Sequence, residues 1–327
     1  MKKTIIFTLS LLVSLISFEF FLRYSPFEYG TSPGIYDKEI GVWHKKNFSG
    51  YSISECYKTK YYYDEKGLPK STKVYDENKN DIVFLGDSFV EAVMIENSGI
   101  IHNVLAKELN YKYNVLNYGL SGTSVVQSFM IFKNKVNLNK TKYAIEFVEL
   151  DGDILEVNYQ SHNKMARPKV YLNFKSLNKY KIIPPREITL KDKIGDFLGD
   201  YQIYFFIKKL IFSIKKRTTP SIKEKKKTIL NLSQNWLNLE ASIYQSYLLA
   251  KKNNIKFLLI INSKKVHNRE TLKAFLTKEN IPFMSIQEEA QKRGIVLHSL
   301  SCEDHWSKES LNDIAKIIFE SGFIAPN

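Results

Sequence analysis

The chain has 327 residues, with 48 Lys and Arg against 34 Asp and Glu, six His, two Cys and a net charge of +14. A 44% hydrophobic and 13% aromatic content can fill a core, which excludes global disorder, and two cysteines exclude a disulfide scaffold or a four-thiolate zinc site. The positive excess leaves nucleic acid, an anionic membrane surface and a merely lysine-rich composition open.

Met1, Lys2 and Lys3 precede an apolar run from Ile5 to Phe18, broken only by Thr8, Ser10, Ser14 and Ser17. That is the n-region and h-region of an export signal. A cut after Ser17 would need a small residue where Leu15 stands, so no cleavage site is evident. Continued through Phe20, Phe21 and Leu22 to Arg23, the helix reaches the ~20 residues that cross a bilayer, with Glu19 near its outer end. Residues 1–23 are therefore expected to be a signal anchor in a bacterial envelope, with the N-terminus cytoplasmic and the body outside. The alternatives are export after signal-peptide cleavage or a buried N-terminal helix, which this pattern fits poorly. Export argues against a nucleic-acid partner, and no basic-aromatic motif supports one. Much of the excess charge is local, running from Lys208 and Lys209 through Lys215, Lys216 and Arg217 to Lys223, Lys225, Lys226 and Lys227.

Residues 24–79 lack sustained periodicity and are expected to be a linker and N-terminal cover. From Asp81, buried-strand runs (81–85, 113–117, 143–150, 255–261 and 282–286) alternate with helical spacing (101–109, 125–135, 235–252, 270–278 and 307–320). This alternation predicts an α/β fold, a parallel sheet with helices on both faces, over residues 80–327. Residues 160–232 interrupt it as an insertion. Within it, Phe197 to Arg217 is apolar with a basic end and reads as an ordinary packed helix or, alternatively, an interfacial one.

Chemistry concentrates in three loops. Phe84-Leu85-Gly86-Asp87-Ser88 puts a serine just after a buried strand, where Gly86 permits a tight turn and Asp87 accepts backbone N–H groups. Its hydroxyl is then exposed at the strand's carboxyl edge. Asn117 to Thr123 forms a glycine-bearing loop at the same edge, able to offer an N–H to an oxyanion. Cys302-Glu303-Asp304-His305 supplies a base beside a carboxylate, as a weakly nucleophilic serine requires.

With these three blocks, residues 80–327 resemble the SGNH, or GDSL, hydrolase superfamily. The resemblance implies a three-layer α/β/α sandwich with a flavodoxin-like parallel sheet and no metal or other cofactor. It also implies Ser88 as nucleophile, His305 as base, and the Ser88 and Gly122 N–H groups as oxyanion donors. An asparagine side chain normally completes that hole from a Gly-x-Asn-Asp block. Asp153 matches the block's aspartate, but Gly152 stands where asparagine belongs. The family's acid usually lies three residues before the histidine, where this chain has Cys302. Glu303 and Asp304 remain equal alternatives for orienting His305. A looser likeness, carried by Glu19, Arg23 and Ile40 to His44, is to membrane-anchored members linked to envelope polysaccharides. The implied substrates are O-acetyl esters of envelope glycans or small esters, acted on by an esterase. The alternatives are a polysaccharide O-acetyltransferase with a membrane acyl-donor partner, and a decayed scaffold that binds glycan.

Simpler readings stand beside these. Ser88 can be a helix N-cap with Asp87 as turn former. Glu149, Asp151 and Asp153 suit hydrogen bonding in a loop better than a metal site. His44 and His298 are expected to be surface or satisfied core residues. Cys56 and Cys302 are expected to be free thiols, with a disulfide pinning the cover as the alternative.

Overall fold

The computed structural model describes residues 2–24, 30–157, 159, 167–199, 201–218 and 232–325. The lysines from 223 to 227, singled out above, lie outside the described residues.

The chain's most apolar segments form one five-stranded sheet: β5 (Asp81–Gly86), β6 (Asn114–Gly119), β7 (Thr141–Glu149), β10 (Lys256–Asn262) and β11 (Phe283–Ser285). Every pairing is parallel and the order is β11-β10-β7-β5-β6. Numbered from the first strand, that is 2-1-3-4-5, the flavodoxin-like order whose switch point lies beside the first strand. A strand covered on both faces needs no polar side, so β5 is buried throughout. Its alternation sends Val83 and Leu85 to one core and Ile82 and Phe84 to the other.

The first core is closed by α4 (Val125–Asn134) and α8 (Leu232–Lys252), and the second by α3 (Ile101–Glu108), α10 (Ile286–Lys292) and α11 (Lys308–Glu320). Three short helices begin directly at strand ends: α2 (Ser88–Glu91) after β5, α5 (Leu150–Glu156) after β7, and α10 after β11. Periodicity misses α5 and α10, each seven residues long, whereas α2 is the helix expected to begin at Ser88 and runs for four residues. Helix α9 (Val266–Lys278) begins four residues before the expected 270.

The cover holds two hairpins, β1 (Gly34–Asp37) with β2 (Gly41–His44) and β3 (Ser49–Ile53) with β4 (Lys58–Tyr62). The insertion contributes a third, β8 (Tyr171–Ser176) with β9 (Lys179–Ile183), and the helices α6 (Leu190–Leu198) and α7 (Gln202–Thr218). Val170, Leu172 and Phe174 are buried in the first core, so the insertion is partly structural.

Helix α1 (Lys2–Tyr24) is long and apolar enough to cross a membrane, with a mean hydropathy of 2.3, and Leu22 is its one buried residue. Glu19 is satisfied locally. It accepts from Arg23 Nε at 2.7 Å and from the Gln202 and Ile203 N–H groups at 2.9 Å each, capping the start of α7. A carboxylate so paired costs less near the apolar end of a helix than a bare one.

Cys56 and Cys302 form a disulfide, with Cα atoms 5.7 Å apart. This corrects the expectation of free thiols. The folding of the cover back onto the last loop, which creates the proximity, has no local sequence signature.

Candidate active site

Ser88 opens α2 at the carboxyl end of β5, beside the switch point. Gly86 makes the turn possible: its φ is +155°, and a Cβ there would come 2.6 Å from Val90 Cγ2. Asp87 is the N-cap and accepts from Phe89 N–H at 2.9 Å. Burial, then the nearby Glu149 and Glu156 carboxylates, push Asp87 up to about 7.

Ser88 Oγ lies 2.7 Å from His305 Nε2, and His305 Nδ1 lies 3.2 Å from Glu303 Oε1. In the tautomer with its proton on Nδ1, toward Glu303, the imidazole can accept a hydrogen bond from the serine hydroxyl at Nε2. The Glu303 contact has ion-pair distance without hydrogen-bond alignment, a looseness common before substrate binds. Phe89 packs on the imidazole with ring centroids 4.8 Å apart, and Trp306 braces Phe89 edge-on at 4.9 Å. The loop is closed by Leu300 N–H donating to His305 O at 2.8 Å and Ser307 N–H to His298 O at 2.9 Å.

Asp304 points away from the imidazole, toward Lys264. Its Oδ1 pairs with Lys264 Nζ at 3.0 Å, with side chains 87% and 73% exposed. The two acids were equivalent in sequence, but their side chains leave the loop in different directions.

Gly122, at φ +72°, is exposed on the loop after β6. That loop is fixed to the serine turn by Leu120 N–H donating to Gly86 O at 3.0 Å. Asn117, fully buried, donates to Val90 O at 2.7 Å and accepts from Gly119 N–H at 2.8 Å. Gly119 admits no side chain, since a Cβ would meet Glu91 N at 2.4 Å.

The place of the absent asparagine is filled. Glu149 caps α5, accepting from Gly152 N–H at 2.7 Å, and a Cβ on Gly152 would come 2.4 Å from the same Oε2. Burial and Asp151 hold the Glu149 carboxyl above its ordinary range, although the Gly152 N–H opposes the shift. Asp153 is buried on α5, and burial together with Asp87 pushes it well up. Asp151 faces the other way and accepts from Ser263 Oγ, Lys264 N–H, Lys265 N–H and Asn268 Nδ2. Among the described residues no His, Cys, Asp and Glu group is arranged to hold a metal.

Glu149→Ala removes a helix cap and is expected to cost about 0.5–2 kcal/mol. Gly152→Asn should cost a similar amount, because its Cβ displaces that carboxylate. Urea denaturation of the double variant should therefore show no more loss than either single change; full additivity would mean that the two sites act independently.

Two more buried residues, which sequence reasoning left without roles, join the cover to this site. Glu91, at the end of α2, lies 2.8 Å from His44 Nε2 on β2, accepts from Ser121 N–H at 2.6 Å and from the Tyr63 hydroxyl. His44 Nδ1 donates to Gly67 O at 2.8 Å. The only sequence signal was a carboxylate inside the apolar stretch Phe89 to Met94.

No family model matches the chain, and no curated protein matches it. Solved structures similar to it include a G-D-S-L family lipolytic protein from Desulfitobacterium hafniense (15% identity, 74% of this chain and 98% of that one, TM-score 0.40). Others are a lipase/acylhydrolase from Enterococcus faecalis (11%, 75% and 95%, 0.39) and an acetylxylan esterase from Geobacillus stearothermophilus (12%, 76% and 97%, 0.39). Nothing about this chain's chemistry follows from likeness at that level.

Proposed function

We propose that the chain is a serine esterase of the SGNH type, acting on O-acetyl or related esters of envelope glycans. The observation that carries the reading is Ser88 Oγ at 2.7 Å from His305 Nε2, with Glu303 behind the imidazole. Ser88 Oγ attacks the ester carbonyl while His305 takes its proton. The Ser88 and Gly122 N–H groups face the developing oxyanion. His305 then protonates the leaving alcohol, and a water deprotonated by His305 releases the acyl group. Helix α1 serves as the anchor, with Lys2 and Lys3 inside. The Cys56–Cys302 disulfide suits an oxidising, extracytoplasmic location for the body. The glycan ester rests on sequence resemblance and that location.

The test is treatment of the detergent-solubilised full chain with a fluorophosphonate probe and with p-nitrophenyl acetate. The expected result is a single adduct on Ser88 and p-nitrophenol release above background. No adduct and no turnover would sink the reading and favour a glycan-binding scaffold. Acetate release from O-acetylated glycan, compared with long-chain p-nitrophenyl esters, tests the substrate class.

A further inference from the structure

The loop carrying Glu303 and His305 is pinned from outside the α/β domain. Residues 54–57 form the turn between β3 and β4, closed by Ser54 N–H donating to Tyr57 O at 2.9 Å. From this turn Cys56 bridges to Cys302, the residue before Glu303, while Ser54 Oγ sits 3.5 Å from Cys302 Sγ. Tyr57, next to the bridge, packs with Phe89 against the second core. Burial first, then the charge of the nearby Glu303 carboxylate, push its phenol up.

Glu303 needs such help. Its neighbours Cys302 and Asp304 are both exposed, and its Oε1 has no aligned hydrogen bond. A glutamate on an exposed loop has rotamers that carry it into water, away from the imidazole. Holding the residue before it removes those alternatives.

Resting on the reading of Ser88, His305 and Glu303 as the catalytic set, we propose that the Cys56–Cys302 disulfide is a positioning element. The cover thereby becomes part of the active site, holding Glu303 against His305. The disulfide stands three residues before His305, where the family that the chain resembles usually has its acid. The chain exchanges a short acid there for a covalent tie and moves the carboxylate one residue on.

The test measures kcat and KM separately for p-nitrophenyl acetate, using the full chain in detergent at a temperature where each variant keeps its wild-type circular dichroism. Displacing a catalytic group by about 1 Å can cost 10²-fold. Cys56→Ser combined with Cys302→Ser is therefore expected to lower kcat about 10- to 100-fold with little change in KM. Reducing the wild type with dithiothreitol should reproduce the double variant, and reoxidation should restore activity. In a Glu303→Gln background, reduction should cost almost nothing further, because it acts through Glu303. A merely structural tie would instead cost the same fold in both backgrounds. Equal losses there, or an active wild type whose kcat is indifferent to both the double variant and reduction, would overturn this proposal and leave the esterase reading intact. A wild type that neither labels nor turns over would sink both.

Discussion

Glu303→Gln is expected to lower kcat for p-nitrophenyl acetate by about 10²- to 10⁴-fold, while Asp304→Asn stays within about twofold of the wild type. In a serine triad the acid fixes the imidazole tautomer and stabilises the imidazolium, and an amide in its place costs up to about 10⁴. Glu303 is positioned for this, 3.2 Å from His305 Nδ1. Asp304 is spent on an exposed pair with Lys264, an interaction worth little in solvent. Both variants keep the loop's backbone hydrogen bonds, so steady-state kinetics with circular dichroism separates chemistry from folding. His305→Ala sets the floor, since residues that act as a unit lose most of their joint effect at the first deletion. A large loss in Asp304→Asn with a small one in Glu303→Gln would reverse the assignment of the orienting acid.

That assignment marks where the sequence stopped being legible. The sheet could be read because its strands are continuous apolar runs, such as Ile82 to Leu85 and Phe257 to Ile261, which only a doubly covered strand tolerates. Ser88 stood out because it follows such a strand, and His305 because it lies beside carboxylates just before the last helical run. The choice between Glu303 and Asp304 could not be read, because adjacent loop residues differ only in the direction their side chains take. The cover hairpins escaped for a different reason. Their strands are four or five residues long, and only β4 alternates exposed and buried positions strictly, over too few residues for a period to stand out in sequence. Long-range pairings were the least visible: Cys56 to Cys302, His44 to Glu91 and Glu19 to Gln202 each join segments far apart in the chain. The part of the site built by the α/β core was thus apparent from sequence, and the part built by the cover was not.

Glu91→Gln is expected to destabilise the folded domain by about 3–5 kcal/mol, the usual cost of removing one partner from a buried ion pair. Side-chain exposure is 1% for His44 and 2% for Glu91. His44 Nδ1 donates to Gly67 O, and its Nε2 faces the Glu91 carboxylate at 2.8 Å. Burial alone would raise Glu91, but His44, the Ser121 N–H and the Tyr63 hydroxyl outweigh it and lower the carboxyl from its ordinary 4.5 to about 2. A depressed carboxyl contributes its stability in full above the unfolded value and loses it as pH falls through the folded one. The gap between wild type and Glu91→Gln should therefore be constant above about pH 5 and close between pH 4.5 and about 2. Replacing both partners by apolar residues should not recover the loss, because Ser121 N–H and Gly67 O would each lose a buried partner. Urea denaturation across that pH range is the measurement. A gap independent of pH would mean that Glu91 acts through packing rather than charge.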